Sequence, residues 1–117
     1  MSNNLFEKVT MMDDAQRIRF YESLAHSLTI SIRSVWSDDN LSEKEKVDRI
    51  KWINEISHRV INRIIDLRYQ PSTWSDLDMW EMIKHNVKQH EGIKGEVAWA
   101  LNHSLKVTTE FGKKKSP

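Results

Sequence analysis

The feature that most constrains this chain is a long periodic run of apolar residues between Ser42 and Tyr69. Ser42 and Glu45 have the spacing of a capping box, in which each side chain accepts a hydrogen bond from the other residue's backbone at a helix start. Gln70-Pro71 predicts the helix end, because a proline disfavours the helical conformation of the residue before it. At about 100° per residue, the apolar side chains cover an arc of roughly 220°: Val47, Ile50, Ile53, Ile56, Val60, Ile61, Ile64, Ile65 and Leu67. A helix of about seven turns that is apolar over so much of its circumference is predicted to lie in the middle of a bundle.

A second long helix is predicted before this one. Asp13 is its N-cap, with Gln16 in the N3 position of a capping box, and the helix runs to about Trp36. Its apolar residues follow the 3-4-3-4-3 spacing of helices that cross at about 20°. Small residues lie on or beside this apolar face: Ala25, Ser27, Ser31 and Ser34. Such residues predict that a neighbouring helix approaches closely.

Two shorter helices are predicted after Pro71. The first has Ser75 as its N-cap, with Trp74 before it, and runs to about Glu91. The second covers about residues 96–110 and ends at Gly112, a residue type that suits the left-handed position after a helix.

The predicted fold class is all-α. Leu5, Phe6 and Val9 are spaced for a short helix at the N-terminus, and the connections between the longer helices are short and polar, as antiparallel packing requires. We expect an up-and-down bundle of four main helices, together with that short N-terminal helix. Residues 1–111 are predicted to form one helical-bundle domain, and residues 112–117 a disordered basic tail.

Charge and composition argue against several classes of partner. Among 117 residues there are 18 basic and 17 acidic side chains, and the net charge of +1 gives no general attraction to nucleic acid or anionic lipid. The chain has no cysteine, so no disulfide is expected. Its N-terminus lacks the charged and apolar segments of a signal peptide, and no apolar run approaches the length of a membrane span. We therefore expect a cytoplasmic protein of bacterial type that contacts no membrane.

One motif points to a metal. Glu55-x-x-His58 has the spacing of the acid and imidazole ligands in carboxylate-bridged sites of four-helix bundles. Such ligands project into the bundle, whereas Glu55 and His58 lie on the polar strip of the longest helix. The sequence also has one such motif where the pattern uses two. A metal-binding bundle with Glu55 and His58 as ligands stays an alternative, and we expect no cofactor.

Motifs for catalysis and for nucleic-acid binding are weak. There is no Gly-x-Ser-x-Gly, no phosphate-binding glycine loop and no His-Glu-x-x-His. His85 and His90 lie about 140° apart on a helix, so they do not form a pair. We expect no enzymatic activity. Lys84 and Lys88 would suit a recognition helix, but acidic residues are interleaved with them, and a small nucleic-acid-binding regulator stays an alternative.

Tryptophan is the strongest functional signal, with five in the chain. Core or helix-end packing accounts for three of them: Trp36, Trp74 and Trp80. Trp99 is predicted to lie opposite the apolar face of the last helix, grouped with Glu96 and His103, and Trp52 at the margin of the long apolar arc. Because an outward tryptophan beside polar groups often anchors an interface, we predict a non-enzymatic protein-interaction module, a regulator, adaptor or inhibitor. It would bind a protein partner or a second copy of itself through these residues: Trp99, His103, Glu96 and Trp52.

Overall fold

The computed structural model describes residues 3–69 and 76–115, and within these ranges the chain is all-α, as predicted. The helices are α1 (Asn3–Thr10), α2 (Asp14–Trp36), α3 (Glu43–Tyr69), α4 (Asp76–Gln89) and α5 (Lys94–Lys115). A single 3-10 turn, Glu91–Ile93, joins α4 to α5. Among the described residues, no helix combines the length and the apolar character needed to cross a membrane.

Two predicted helix starts are built by the side chains that the sequence indicated. Asp13 Oδ1 accepts a hydrogen bond from the Gln16 backbone at 2.8 Å, at the start of α2. Ser42 Oγ accepts from the Glu45 backbone at 3.1 Å, and Glu45 Oε1 accepts from the Ser42 backbone at 3.2 Å. The hydrogen bond from the Ser42 backbone, and then the one involving its side chain, hold the pKa of the Glu45 carboxyl below its ordinary value.

The helix in the middle of the bundle is α2, not α3. It packs along α3 on one side and along α5 on the other. Arg68 Nη2 lies 3.2 Å from Glu22 Oε1, and Lys46 Nζ lies 5.9 Å from the Trp36 ring centroid, so α3 runs antiparallel to α2. The expectation that α3 occupies the middle is therefore wrong. Three residues of its apolar arc face outward instead: Val47, Ile61 and Ile65.

Serines on α2 allow α5 to approach it closely. The hydroxyls of Ser27 and Ser104 are 3.4 Å apart, and Ser104 also donates to the Ala100 carbonyl at 2.7 Å. Ser31 donates to the Glu96 carbonyl at 3.4 Å. These short side chains bring α5 against α2 while giving their buried hydroxyl groups hydrogen-bond partners. Two of the small residues predicted beside the α2 seam, Ser27 and Ser31, thus contact α5.

Three buried aromatic side chains stand at the centre of the core. The Phe20 and Tyr21 rings meet edge to face with centroids 5.5 Å apart, and Phe20 stacks on Trp80 at 6.4 Å. Since Trp80 belongs to α4, this contact holds α4 against α2. Buried aliphatic side chains complete the core, among them Leu24, Leu28, Ile53, Ile56, Val60, Ile83, Ile93, Val97 and Leu101.

The short N-terminal helix is present as α1. It buries Leu5 and Val9, as their spacing predicted, and the side chain of Phe6 lies outside the described residues. The predicted N-cap Ser75 and its neighbour Trp74 also lie outside them.

The last helix is longer than predicted at both ends. It begins at Lys94 and continues past Gly112 to Lys115. The predicted helix end at Gly112 is therefore wrong, and residues 113–115 are helical where a disordered tail was expected. A glycine weakens a helix but ends it only when its backbone turns left-handed. Residues 116–117 lie outside the description.

Candidate protein-binding surface

Helix α5 displays a tryptophan outside the face that it buries. Its buried residues repeat at helical spacing: Val97, Ala100, Leu101, Ser104 and Thr108. Trp99 lies outside that arc and is 44% exposed. His103, one turn further along α5, stacks on it with ring centroids 5.0 Å apart and planes 7° from parallel. The stack favours one orientation of the indole, so Trp99 presents a flat apolar surface to solvent.

A groove of about 330 Å³ lies beside Trp99, between α5 and α2. We call it the Trp99 groove, and it is lined by Ile30, Ser31, Ser34, Gly95, Glu96 and Trp99. Ile30 is itself exposed, so two large apolar side chains reach solvent from neighbouring helices. A volume of this size accommodates a small ligand or one or two side chains of another protein.

Small residues keep the Trp99 groove open. A Cβ atom added at Gly95 would meet no atom within 4 Å, so the space beside this residue is free. Ser31 is buried, and its hydrogen bond to the Glu96 carbonyl fixes the first turn of α5 against α2. Among the described residues that line the groove, Glu96 is the only charged one, and the others are apolar or small. A groove with this lining suits a ligand that has a basic group next to an apolar group.

Trp52 does not belong to this groove. It is partly buried against the core and stacks on His90, with centroids 4.0 Å apart and planes 9° from parallel. Because His90 lies just before the 3-10 turn, this stack joins α3 to the junction between α4 and α5. The structure therefore brings Trp99, His103 and Glu96 together and places Trp52 apart from them.

The metal candidates Glu55 and His58 are exposed on the outer side of α3. They line a second, wider groove of about 1020 Å³, to which α4 contributes His85. In residues 3–69 and 76–115, no group of three or more histidine or acidic side chains is arranged to hold a metal ion. The described part of the chain thus contains no set of ligands that would support the metal-binding alternative.

The sequence interpretation missed an exposed stripe along this second groove. Six residues of α3, here called the α3 outer stripe, all face solvent: Val47, Lys51, Asn54, His58, Ile61 and Ile65. Val47 is 57% exposed and Ile65 is 49% exposed. The 4-3-4-3-4 spacing of the stripe is the signal that could have found it, because that spacing is typical of a helix–helix seam. The apolar residues of the stripe belong to the wide apolar arc of α3, and a helical wheel alone assigns that whole arc to the core.

Comparison with protein-family models, with curated proteins and with solved structures finds no match to this chain. The geometry of the described surface is therefore what indicates a function. That geometry defines a helical bundle that displays an exposed tryptophan, stacked on a histidine, beside an open groove.

Proposed function

We propose that this chain is a cytoplasmic, non-enzymatic protein-interaction module, acting as a regulator, adaptor or inhibitor, and that it binds its partner through the Trp99 groove. The observation that carries the proposal is the exposed indole of Trp99, stacked on His103 at the edge of an open groove. Tryptophans in such positions dominate the binding energy of many interfaces.

The energetics favour binding at this place. A side chain whose orientation a neighbouring ring already favours loses somewhat less rotamer freedom when a partner covers it, so less of the contact energy is spent on ordering. Trp99 and Ile30 offer the apolar area, and the groove between them offers a recess for a side chain of the partner. We expect the truncation of Trp99 to weaken the complex by on the order of 2 kcal/mol, which is about 30-fold in affinity.

The groove also indicates the chemistry of the partner. Glu96 is an acidic residue among the apolar and small residues that line the groove. A partner that inserts an aliphatic or aromatic side chain, with a lysine or arginine next to it, would satisfy both features. The charged contact contributes more to specificity than to affinity.

Two tryptophans provide a matched experiment. Affinity purification from native cells, followed by mass spectrometry, would compare the wild-type chain with Trp99→Ala and with Trp36→Ala. Trp36 is exposed as well, but it lies at the end of α2 on the second groove. A protein recovered with the wild type and with Trp36→Ala but lost with Trp99→Ala is the expected partner, and titration of the purified pair should show a loss of about 30-fold.

A substitution that keeps Trp99 tests the groove itself. Gly95→Leu fills the free space beside Gly95 and should block the partner, whereas Gly95→Ala leaves most of the space open. Circular dichroism would confirm that both variants are folded. Unchanged partner affinity in both Trp99→Ala and Gly95→Leu would contradict the proposal.

A further inference from the structure

The wider groove on α3 fits a different occupant, a second copy of this chain. We propose that α3 pairs antiparallel with α3 of a second copy along the α3 outer stripe, in a two-fold symmetric dimer. This inference concerns a surface separate from the Trp99 groove, so either proposal can fail without the other.

The spacing of the stripe is the first argument. Helices that pair side by side bury residues at alternating intervals of three and four, and the stripe follows this rule over five consecutive intervals. On a helical wheel its six members lie within about 40° of one line. The opposite side of α3 already faces the core through Ile53, Ile56 and Val60. Helix α3 therefore has two seams, and the bundle covers one of them.

The order of residues within the stripe is the second argument. An antiparallel pairing centred on Ile56 places each stripe residue opposite another one in the second copy. The pairs are Val47 with Ile65, Lys51 with Ile61 and Asn54 with His58, each formed twice by the two-fold axis. An apolar pair thus stands at each end of the interface and a polar pair on each side of its centre.

Charge selects this orientation over a parallel one. In a parallel pair each stripe residue meets its own copy, so Lys51 would face Lys51 and their like charges would repel. In the antiparallel pair the aliphatic part of Lys51 covers Ile61 while its ammonium group stays in water. Asn54 and His58 are complementary in hydrogen bonding, and polar residues at such positions fix the register of paired helices.

The exposed aromatic residues agree with the same arrangement. Trp36 lies at the Val47 end of α3, where Lys46 contacts its ring, and Tyr69 is exposed beyond Ile65. The antiparallel pairing brings the Trp36 end of one copy against the Tyr69 end of the other. It thereby covers the large exposed side chains at both ends of α3.

A charge-swap series tests both the dimer and its register. Val47→Lys and Ile65→Glu each place an unpaired charge opposite an apolar residue, and each should raise the dimer dissociation constant by about 30-fold in sedimentation equilibrium. The double variant Val47→Lys/Ile65→Glu should recover most of the loss, because the introduced lysine of one copy then meets the introduced glutamate of the other. Within one chain these two positions are about 27 Å apart, too far to pair. Ile30→Glu, on the Trp99 groove, is the matched control and should leave the dimer unchanged.

Cross-linking gives an independent result, because the native chain has no cysteine. An oxidised mixture of Val47→Cys and Ile65→Cys chains should form disulfide-linked dimers, since a disulfide requires Cα atoms within about 7 Å. Either variant alone should stay uncross-linked. This readout also decides the case if Ile65→Glu fails to fold.

Three outcomes would overturn the inference. A protein that stays monomeric at about 100 µM does not form this dimer. The α3 outer stripe would then be a binding surface for a different protein. A Val47→Cys chain that cross-links with itself has the parallel orientation. The third outcome is a dimer that dissociates in the Trp99→Ala variant but stays intact in the Trp36→Ala variant. Such a dimer would use the Trp99 groove, and the partner at that groove would then be a second copy of this chain.

Discussion

Trp52 and Trp99 both stack on a histidine with nearly parallel rings, yet one stack joins helices and the other faces solvent. Trp52 meets His90, which lies beyond α4 and far away in the sequence. Trp99 meets His103, its neighbour one turn along α5. The first stack is partly buried against the core, whereas the second lies at an open groove.

The difference shows that residue type alone does not determine what such a pair does. A pair at positions i and i+4 forms whenever its helix forms, and contributes a few tenths of a kcal/mol. A pair between distant segments forms only when the whole chain folds, and its loss leaves a gap beside the core. We therefore expect Trp52 to stabilise the fold and Trp99 to contribute to binding a partner.

The largest expected effect is that of Trp52→Ala. Truncating a fully buried tryptophan costs about 3–5 kcal/mol, and because Trp52 is only partly buried we expect about 3 kcal/mol of lost unfolding free energy. Urea denaturation followed by circular dichroism would measure the loss. Affinity for a partner of the Trp99 groove should be unchanged at concentrations where the variant is folded.

The same denaturation experiment on Trp99→Ala should show a much smaller change, within about 1 kcal/mol. The lost stack is offset in part by the higher helix propensity of alanine. If Trp99→Ala lowered the free energy of unfolding as much as Trp52→Ala, the distinction between the two stacks would be wrong. Trp99 would then hold α5 against the bundle rather than serve as a binding residue.

The same division between local and distant contacts explains what the sequence could predict. The capping boxes at Asp13 and Ser42 depend on residues three positions apart, and both helix starts are present. The bounds of α2 and α3 follow from such local signals and from the following proline. Trp99, His103 and Glu96 lie near one another as their spacing predicts, because all three belong to one helix and its periodicity places them together.

Contacts between residues far apart in the sequence could not be predicted from local spacing. In the sequence analysis Trp52 is grouped with Trp99, because nothing near Trp52 in the sequence indicates His90 as its neighbour. The widest apolar arc predicts the middle position for α3, but α2 packs on both α3 and α5, and its serines form hydrogen bonds with α5 residues that lie 65 and 77 residues away in the sequence. Part of that wide arc faces solvent, which a wheel drawn for one helix does not reveal. Arg63, at the margin of the same arc, is 3% exposed, although its type favours the surface.

A smaller effect is expected at the Trp99 groove from Gly95→Ala. The added methyl group meets open space, and alanine is the better helix former, so we expect a gain of about 0.5 kcal/mol near the start of α5. Gly92→Ala is the contrasting variant, because its Cβ would lie 3.1 Å from Arg49 Nε and would displace that side chain. A lower urea midpoint for Gly95→Ala than for the wild type would contradict the open space beside Gly95.

The smallest expected effect extends the comparison to another local pair, Ser42 with Glu45. Hydrogen bonds from Ser42 lower the pKa of the Glu45 carboxyl below 4.5, so its ionised form stabilises the folded chain above that pH. This contribution is lost as the pH falls through the lowered pKa. Glu45→Gln keeps a side chain that can complete the capping box but removes the charge, so it should be less stable than the wild type at neutral pH and nearly equal to it in acid. A stability difference that stays constant from neutral pH to about pH 3 would mean that the carboxylate charge has no part in the cap. The α3 start would then depend on its hydrogen bonds alone.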